Sequence, residues 1–363
     1  MFDWIPLQYY GPVYFFILLL MLLLLLSNSK NNIFSFESIV FSDRIGLILL
    51  FFSIIYMGFR PVSGRYFGDM STYNTSFIKL QRGIELEATH DEFFNAFMKI
   101  CSGIMPVSFF FLLMAFLYVF SAYLACKKWF QSNWGYPFFI LLASFSFWAY
   151  GTNGMRNGVA TSLILLGFSY SNRKILMASF FILAILFHKT SLLPVFAYIV
   201  TFFYNDSKKL MFFWILCIPL SLILGGAFES FFSSVGIFDD DRLSYLTEGN
   251  INGDDFSHTG FRWDFLLYSA SAVYAGYYFV IKRGFRDKVY DQILNTYLIS
   301  NAFWVLVIRA NFSNRFAYLS WFMMGIVIIY PFIKQEFFKN QNIVLSRVLI
   351  LYFLFTFLLN VIL

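Results

Sequence analysis

The sequence contains little charge, cysteine or histidine for its length. Only 13% of its 363 residues are charged, whereas a soluble domain carries about 25%. Its three cysteines, Cys101, Cys126 and Cys217, lie far apart and form no CxxC pair, which argues against zinc and iron–sulfur sites. A GxxxxGK[ST] loop and a GxGxxG motif after a strand are also lacking, so nucleotide hydrolysis is not indicated. These deficits argue against most classes of soluble enzyme.

Apolar and aromatic residues are abundant instead. Hydrophobic residues make up 60% of the chain and aromatic residues 23%, with 52 phenylalanines. A helix needs about 20 apolar residues to cross the hydrocarbon layer, and such runs recur from end to end. The sequence therefore predicts an all-α, polytopic integral membrane protein with a single transmembrane domain over 1–363 and about twelve helices. The predicted spans are 9–26, 45–60, 107–126, 136–150, 153–170, 174–188, 190–204, 210–227, 263–281, 290–308, 315–333 and 343–363.

The connecting loops alternate in charge. One set is predominantly basic, for example at Lys127-Lys128 and Lys208-Lys209, and the other set is slightly acidic. The positive-inside rule places the basic set in the cytoplasm and both termini outside. The net charge of +6 is then explained by the membrane, and no nucleic-acid partner is expected. The amino end, MFDWIP, lacks the cationic start of a cleavable signal peptide.

Two outward loops are long, 61–106 and 228–262. In the first, Thr89 and Glu92 have capping-box spacing, which predicts an amphipathic helix lying in the outer interface. Its apolar positions are Phe93, Phe94, Phe97, Met98, Cys101 and Ile104. The second loop carries Asp239, Asp240 and Asp241 without EF-hand spacing, which favours a solvated acidic turn over a calcium site.

Basic residues on the outward side are the strongest functional candidates, because charge near a span is costly. Arg156 begins the fifth span after the Gly151–Gly154 break, and Arg315 follows Asn314 in a similar setting. Arginine beside the N–H groups of a helix N-terminus forms an anion site, although snorkelling to lipid headgroups is the alternative. Further candidates are Arg60, Arg65 and Arg309; for Arg60, at a helix C-terminus, both interpretations stay open.

His188 and Lys189 divide two short arms of the chain. Each arm has about 14 residues, or roughly 21 Å of helix, against a hydrocarbon layer of about 30 Å. We therefore expect this turn to lie below the outer surface, where His188 is either a general base or a hydrogen-bonded structural residue. Asp69 is likewise either a base or the structural partner of the nearby arginines.

Four short motifs follow one another along the chain. They are Arg60 with Gly68-Asp69-x-x-x-Tyr73, then Gly154-Met155-Arg156-Asn157-Gly158-Val159-Ala160, Phe187-His188-Lys189-Thr190-Ser191 and Asn314-Arg315-Phe316-Ala317-Tyr318. These motifs give the chain a resemblance to the EpsG-type bacterial polysaccharide polymerases, relatives of the Wzy O-antigen polymerases. The resemblance covers nearly the whole length in topology, although Asn157 stands where many members have glutamine.

The resemblance implies a substrate and roles for these residues. Undecaprenyl-pyrophosphate-linked oligosaccharide units would be joined on the periplasmic face of the bacterial inner membrane, with no cofactor and no metal. Arg156 and Arg315, helped by Arg60 or Arg65, would hold the pyrophosphate, and His188 or Asp69 would accept the proton. The supporting residues would be Asn157, Lys189, Tyr73, Asn314 and Arg309. The expected partners are the lipid bilayer, a chain-length regulator and a flippase.

Two other functions fit the same sequence. A flippase or anion transporter needs charges reachable from both faces and often shows repeated halves, whereas these charges cluster on one side and no repeat is visible. A ligase that moves finished glycan to an acceptor would use the same donor site. The sequence separates the ligase from the polymerase poorly.

Overall fold

The computed structural model describes residues 2–28, 31–86, 92–234, 260–310 and 313–362. These residues are predominantly helical and include no strand. The helices are α1 Leu7–Ser27, α2 Phe36–Gly58, α3 Gly64–Phe67, α4 Met70–Gln81, α5 Glu92–Ser102, α6 Val107–Phe130, α7 Gly135–Leu142, α8 Phe145–Thr152, α9 Met155–Ser169, α10 Lys174–Phe187, α11 Leu192–Phe203, α12 Ser207–Ser234, α13 Trp263–Gly276, α14 Lys288–Leu306, α15 Ser313–Lys334 and α16 Gln341–Phe357.

Six helices in the described part of the chain are long and apolar enough to cross a membrane, which makes this a membrane protein. They are α1, α2, α6, α12, α15 and α16. The prediction of about twelve spans is not confirmed, because the remaining candidates are shorter or more polar. The predicted span 136–150 is wrong as a continuous helix. It forms α7 and α8, which are separated at Ala143–Ser144 and have 8 residues each.

The chain divides into two compact units. The first unit comprises Met1–His188 with Phe332–Leu363, and the second comprises Lys189–Pro331. The single transmembrane domain expected over 1–363 stays a prediction. Each unit has its own interior, in which apolar side chains pack and buried polar groups are joined by hydrogen bonds.

In the first unit, α6 packs against α2 and α9, and α9 packs against α10. Polar groups inside this unit are paired across long sequence distances. Tyr10 and Tyr56 stack at 4.3 Å, and each donates its hydroxyl to the backbone carbonyl of the other at 2.8 Å. The Tyr14 hydroxyl donates to the carbonyl of Leu142 at 3.2 Å, where α7 ends. A broken helix inside a membrane protein needs such partners, since lipid offers none.

In the second unit, α14 packs against α11 and α12 around a buried polar cluster. Asn301 accepts the indole N–H of Trp214 at 2.7 Å and donates to the Ser320 hydroxyl at 2.9 Å. Ser269 receives the Asn301 amide at 3.3 Å and the Trp321 indole N–H at 2.7 Å. Hydrogen bonds of this kind help helices associate where burial from water supplies no driving force.

The first long loop is largely helical where it is described. Besides the predicted helix, observed as α5, it contains α3 and α4, which the sequence analysis missed. Met70, Tyr73 and Phe77 of α4 are buried at helical spacing, so the periodicity was present. Ile104 was predicted as an apolar position of this helix, but it lies beyond the end of α5 and is 73% exposed. The capping residue Thr89 and the acidic residues 239–241 lie outside the described residues.

Candidate functional site

The candidate site in the first unit lies at the break between α8 and α9. Helix α8 ends at Thr152, and α9 begins at Met155 without a side chain capping its N-terminus. Asn153 and Gly154 both donate their backbone N–H to Ala149, which closes the end of α8. Only Asn153 and Gly154 therefore separate the two helices, and Arg156 lies in the first turn of α9.

Arg156 is half-buried and held by two aromatic rings. Its Nε donates to the Tyr73 hydroxyl at 2.9 Å. The guanidinium carbon lies 5.7 Å from the ring centroids of both Tyr73 and Phe94, within the range of a cation–π contact. Arg156 of α9 thus contacts α4 and α5, and its position is fixed by groups that leave its guanidinium partly accessible.

Asp69 lies beside the same break. Its backbone N–H donates to the side-chain oxygen of Asn153 at 2.8 Å, and its carbonyl accepts the N–H of Tyr73 at 3.0 Å. The Asp69 side chain is exposed and makes no ion pair among the described residues. Asn157 is half-buried and lies close to Gly154. The structure therefore brings Asp69, Tyr73, Arg156 and Asn157 of the predicted site together.

Arg60 follows α2 and is only 4% exposed. It donates to the carbonyl of Met57, to the carbonyl of Thr152 at 2.8 Å and to the sulfur of Met155 at 3.3 Å. Its Nε is buried and has no hydrogen-bond partner among the described residues. These contacts join the end of α2 to the α8–α9 break, which favours an anchoring role. Arg65, by contrast, is exposed, with its guanidinium carbon 5.6 Å from the Tyr66 ring centroid.

His188 ends α10 and is 3% exposed, whereas Lys189 is exposed. The backbone N–H of His188 donates to Ala184 at 3.0 Å. The preceding residue, Phe187, packs against three phenylalanines of α5, Phe93, Phe94 and Phe97, at centroid distances of 5.4, 6.4 and 5.7 Å. Phe94 therefore contacts both Arg156 and the end of α10. The arms flanking His188 are short, as predicted, with 14 residues in α10 and 12 in α11.

The other predicted residues belong to the second unit. Arg309 donates to the carbonyl of Leu222 at 3.1 Å, close to the non-helical Leu224 that kinks α12, which indicates a structural contact. The Asn314 amide donates to the Tyr318 hydroxyl at 3.4 Å. Arg315, the next residue, is half-buried. That Arg315 shares a pyrophosphate with Arg156 stays a prediction.

The residues that sequence reasoning missed are those that position Arg156. Asn153 accepts a hydrogen bond from Asp69, and Phe94 packs on the guanidinium. Neither residue type signals chemistry by itself, although the Asn-Gly pair at a helix break indicates a special backbone geometry. Among the described residues, no group of three or more His, Cys, Asp or Glu side chains is arranged to hold a metal ion.

A family model agrees with the identification of a membrane protein. The model of the EpsG family matches residues 45–363, which is most of the chain. No curated protein and no solved structure matches the sequence. EpsG proteins are Wzy-like polymerases. With its apolar helices and the family match over both units, this chain belongs to the EpsG family and is a membrane protein of the polysaccharide-polymerase type.

Proposed function

We propose that this protein joins undecaprenyl-pyrophosphate-linked oligosaccharide repeat units by glycosyl transfer, on the periplasmic face of the bacterial inner membrane. The product is a polysaccharide of the O-antigen type. Arg156 binds the pyrophosphate of the growing chain. The family supports the polymerase class, and the chemistry of the site supports a lipid-pyrophosphate donor.

The observation that carries this proposal is the setting of Arg156. Its guanidinium is half-buried between Tyr73 and Phe94, at the start of a 15-residue helix whose first turn has no side-chain cap. A helix N-terminus carries a partial positive charge and favours anions. Adding a fixed arginine there produces a site suited to phosphate oxygens, because the planar guanidinium donates two parallel hydrogen bonds.

The site supports a displacement at the anomeric carbon. A hydroxyl of the incoming unit attacks the anomeric carbon at the reducing end of the growing chain and forms the new glycosidic bond. The bond between that carbon and the phosphate oxygen breaks, and its electron pair leaves with the lipid pyrophosphate. Arg156 stabilises the charge that develops on this leaving group, which is a common source of catalysis when donors are fixed in advance. The hydroxyl proton passes to a general base.

Two side chains are candidates for that base. Asp69 is exposed and its backbone is hydrogen-bonded to the residue three positions before Arg156. His188 is buried and follows Phe187, which packs on the same α5 face as Arg156. The accessibility of Asp69 favours it for direct contact with a sugar hydroxyl, whereas the shielded position of His188 favours proton transfer away from bulk water.

Reconstitution with a purified lipid-linked repeat unit tests the proposal. Wild-type protein in proteoliposomes is expected to convert single repeats into a ladder of longer glycans. Arg156→Lys keeps the charge but removes the planar fork, so we expect normal membrane insertion and a severely shortened ladder. Arg82→Lys is the matched control, because Arg82 is an exposed arginine outside the site and should leave the ladder unchanged. A normal ladder from Arg156→Lys would contradict the proposal.

Glycan analysis of a deletion strain separates the alternatives. Loss of long chains with single repeats retained at the surface is expected of a polymerase. Loss of all surface glycan would instead indicate a flippase. Long chains that accumulate on the carrier lipid without reaching their acceptor would indicate a ligase.

A further inference from the structure

Two segments of the first unit, 60–73 and 152–156, are joined at three points around the α8–α9 break. Arg60 donates to the Thr152 carbonyl at 2.8 Å. The Asp69 N–H donates to the Asn153 side chain at 2.8 Å. In the opposite direction, Arg156 donates to the Tyr73 hydroxyl at 2.9 Å. Three contacts within five residues of the second segment fix its geometry relative to the first.

The middle contact requires a special backbone at Gly68. Gly68 has a φ of +50°, and a Cβ there would lie 2.4 Å from the Asn153 side-chain oxygen. Only glycine avoids both the strain of this conformation and the collision. The close approach of Gly68 and Asp69 to Asn153 therefore depends on the glycine at position 68.

Asn153 is connected to Arg156 along two routes. Along the chain, its carbonyl accepts the N–H of Met155 at 3.0 Å, which sets the start of α9. Across space, it holds the N–H of Asp69, whose carbonyl accepts the N–H of Tyr73 at 3.0 Å in the first turn of α4. The Tyr73 hydroxyl then accepts Arg156. These contacts form a closed ring that begins and ends at the α8–α9 break.

We propose that Asn153 is a positioning residue that fixes the guanidinium of Arg156 for pyrophosphate, with buried Arg60 as the second anchor of the same break. This inference rests on the proposed function. An arginine that is already in place binds without the cost of ordering a flexible side chain on association. Asn153 itself need not touch the substrate, because it acts on the rotamer and location of Arg156 through Tyr73.

A double-mutant cycle tests the proposal on purified full-length protein. The measured quantity is the Kd for farnesyl pyrophosphate, a short isoprenyl pyrophosphate used as the probe. Asn153→Ala is expected to weaken binding about tenfold, on the order seen for coupled neighbours. In an Arg156→Ala background, the same change should have no further effect, because the group that Asn153 positions is gone. A purely structural residue would not show this dependence on Arg156.

The matched control is Asn342→Ala. Asn342 is also a half-buried asparagine whose side-chain oxygen accepts a distant backbone N–H, that of Ile33 at 3.1 Å. We expect its loss to lower the melting temperature and leave the Kd for the probe unchanged. If Asn153→Ala does not accumulate in the membrane, Asn153→Ser takes its place in the cycle, because its shorter side chain withdraws the acceptor while keeping a polar residue at the break.

The outcomes distinguish the positioning role of Asn153 from the pyrophosphate role of Arg156. An equal loss of binding from Asn153→Ala in both backgrounds would overturn the positioning role, as would an unchanged Kd for Asn153→Ala while Arg156→Ala weakens binding. In either case the proposed function would stand. Unchanged binding in Arg156→Ala would instead overturn the pyrophosphate role of Arg156 and the positioning role with it.

Discussion

At the scale of single residues, two arginines at predicted helix ends have different surroundings. Arg60 is buried and directed at backbone carbonyls, whereas Arg156 is half-buried and held by aromatic rings. Their predicted positions, a helix C-terminus for Arg60 and a helix N-terminus for Arg156, do not indicate this difference in burial and contacts. Arg60 binds the carbonyl of Met57, three residues before it, and the carbonyl of Thr152 at a helix break that is distant in sequence. Only the fold brings these two carbonyls together.

We expect Arg60→Lys to destabilise the protein more than it alters the chemistry. A lysine has no planar fork to reach the carbonyls of Met57 and Thr152 together, and a lost hydrogen bond to a charged group costs about 2 kcal/mol. The melting temperature in detergent should fall, while folded protein still binds farnesyl pyrophosphate within a few fold of wild type. A normal melting temperature with lost binding would show that Arg60 contacts the ligand instead.

The two candidate bases are separated by a pair of amide variants. A general base contributes about 10²–10⁴-fold to a rate, and Asp69→Asn or His188→Gln replaces the proton acceptor with an amide, which can still form hydrogen bonds. The variant that removes the base should bind the pyrophosphate probe normally and polymerise at least about 100-fold more slowly. Initial rates in proteoliposomes at equal protein are the measurement. Near-normal rates from both variants would exclude both residues as the base.

At the scale of elements, α5 connects Arg156 with the end of α10 through one ring. Phe94→Leu removes the cation–π contact with Arg156, which is worth about 0.5–2 kcal/mol. We expect a roughly two- to thirtyfold weaker Kd for farnesyl pyrophosphate. Phe97→Leu is the matched control, since Phe97 packs on Phe187 and Phe110 but makes no cation–π contact with Arg156. Equal effects of the two variants would assign the loss to general packing of α5.

The sequence predicted the existence of most helices and the break before Arg156, but missed the break inside the run 136–150. The run 136–150 is apolar throughout, so hydropathy predicts one span, yet Ser144 is extended and divides it into α7 and α8. The break is stabilised by the distant Tyr14 hydroxyl, which no local pattern reveals. The helix α4 was missed for the opposite reason, because its polar residues hid the spacing of Met70, Tyr73 and Phe77.

At the scale of the whole molecule, the predicted orientation can be tested with single cysteines. The native cysteines are buried and free, and burial raises the pKa of the Cys101 thiol, which slows its labelling. In a background lacking the native three, Thr75→Cys should react with an impermeant thiol reagent in spheroplasts, and Lys208→Cys should react only after the membrane is permeabilised. Both positions are exposed, so a difference reports sidedness. The reversed pattern would place Arg156 in the cytoplasm and contradict the proposed function.

The second unit cannot complete its interior until its last helix has been made. Its polar cluster needs Trp214 from α12 and Trp321 from α15, and synthesis runs from the first to the second. Until Trp321 arrives, the Ser269 hydroxyl lacks one of its donors in a lipid surround that offers no substitute. Once the cluster is complete, sliding any of these helices along its axis would separate a donor from its acceptor. Helix α15 adds the last two contacts, through Ser320 and Trp321, so a chain released before residue 320 would keep the bonds among α12, α13 and α14 but lack those that hold α15 to α13 and α14.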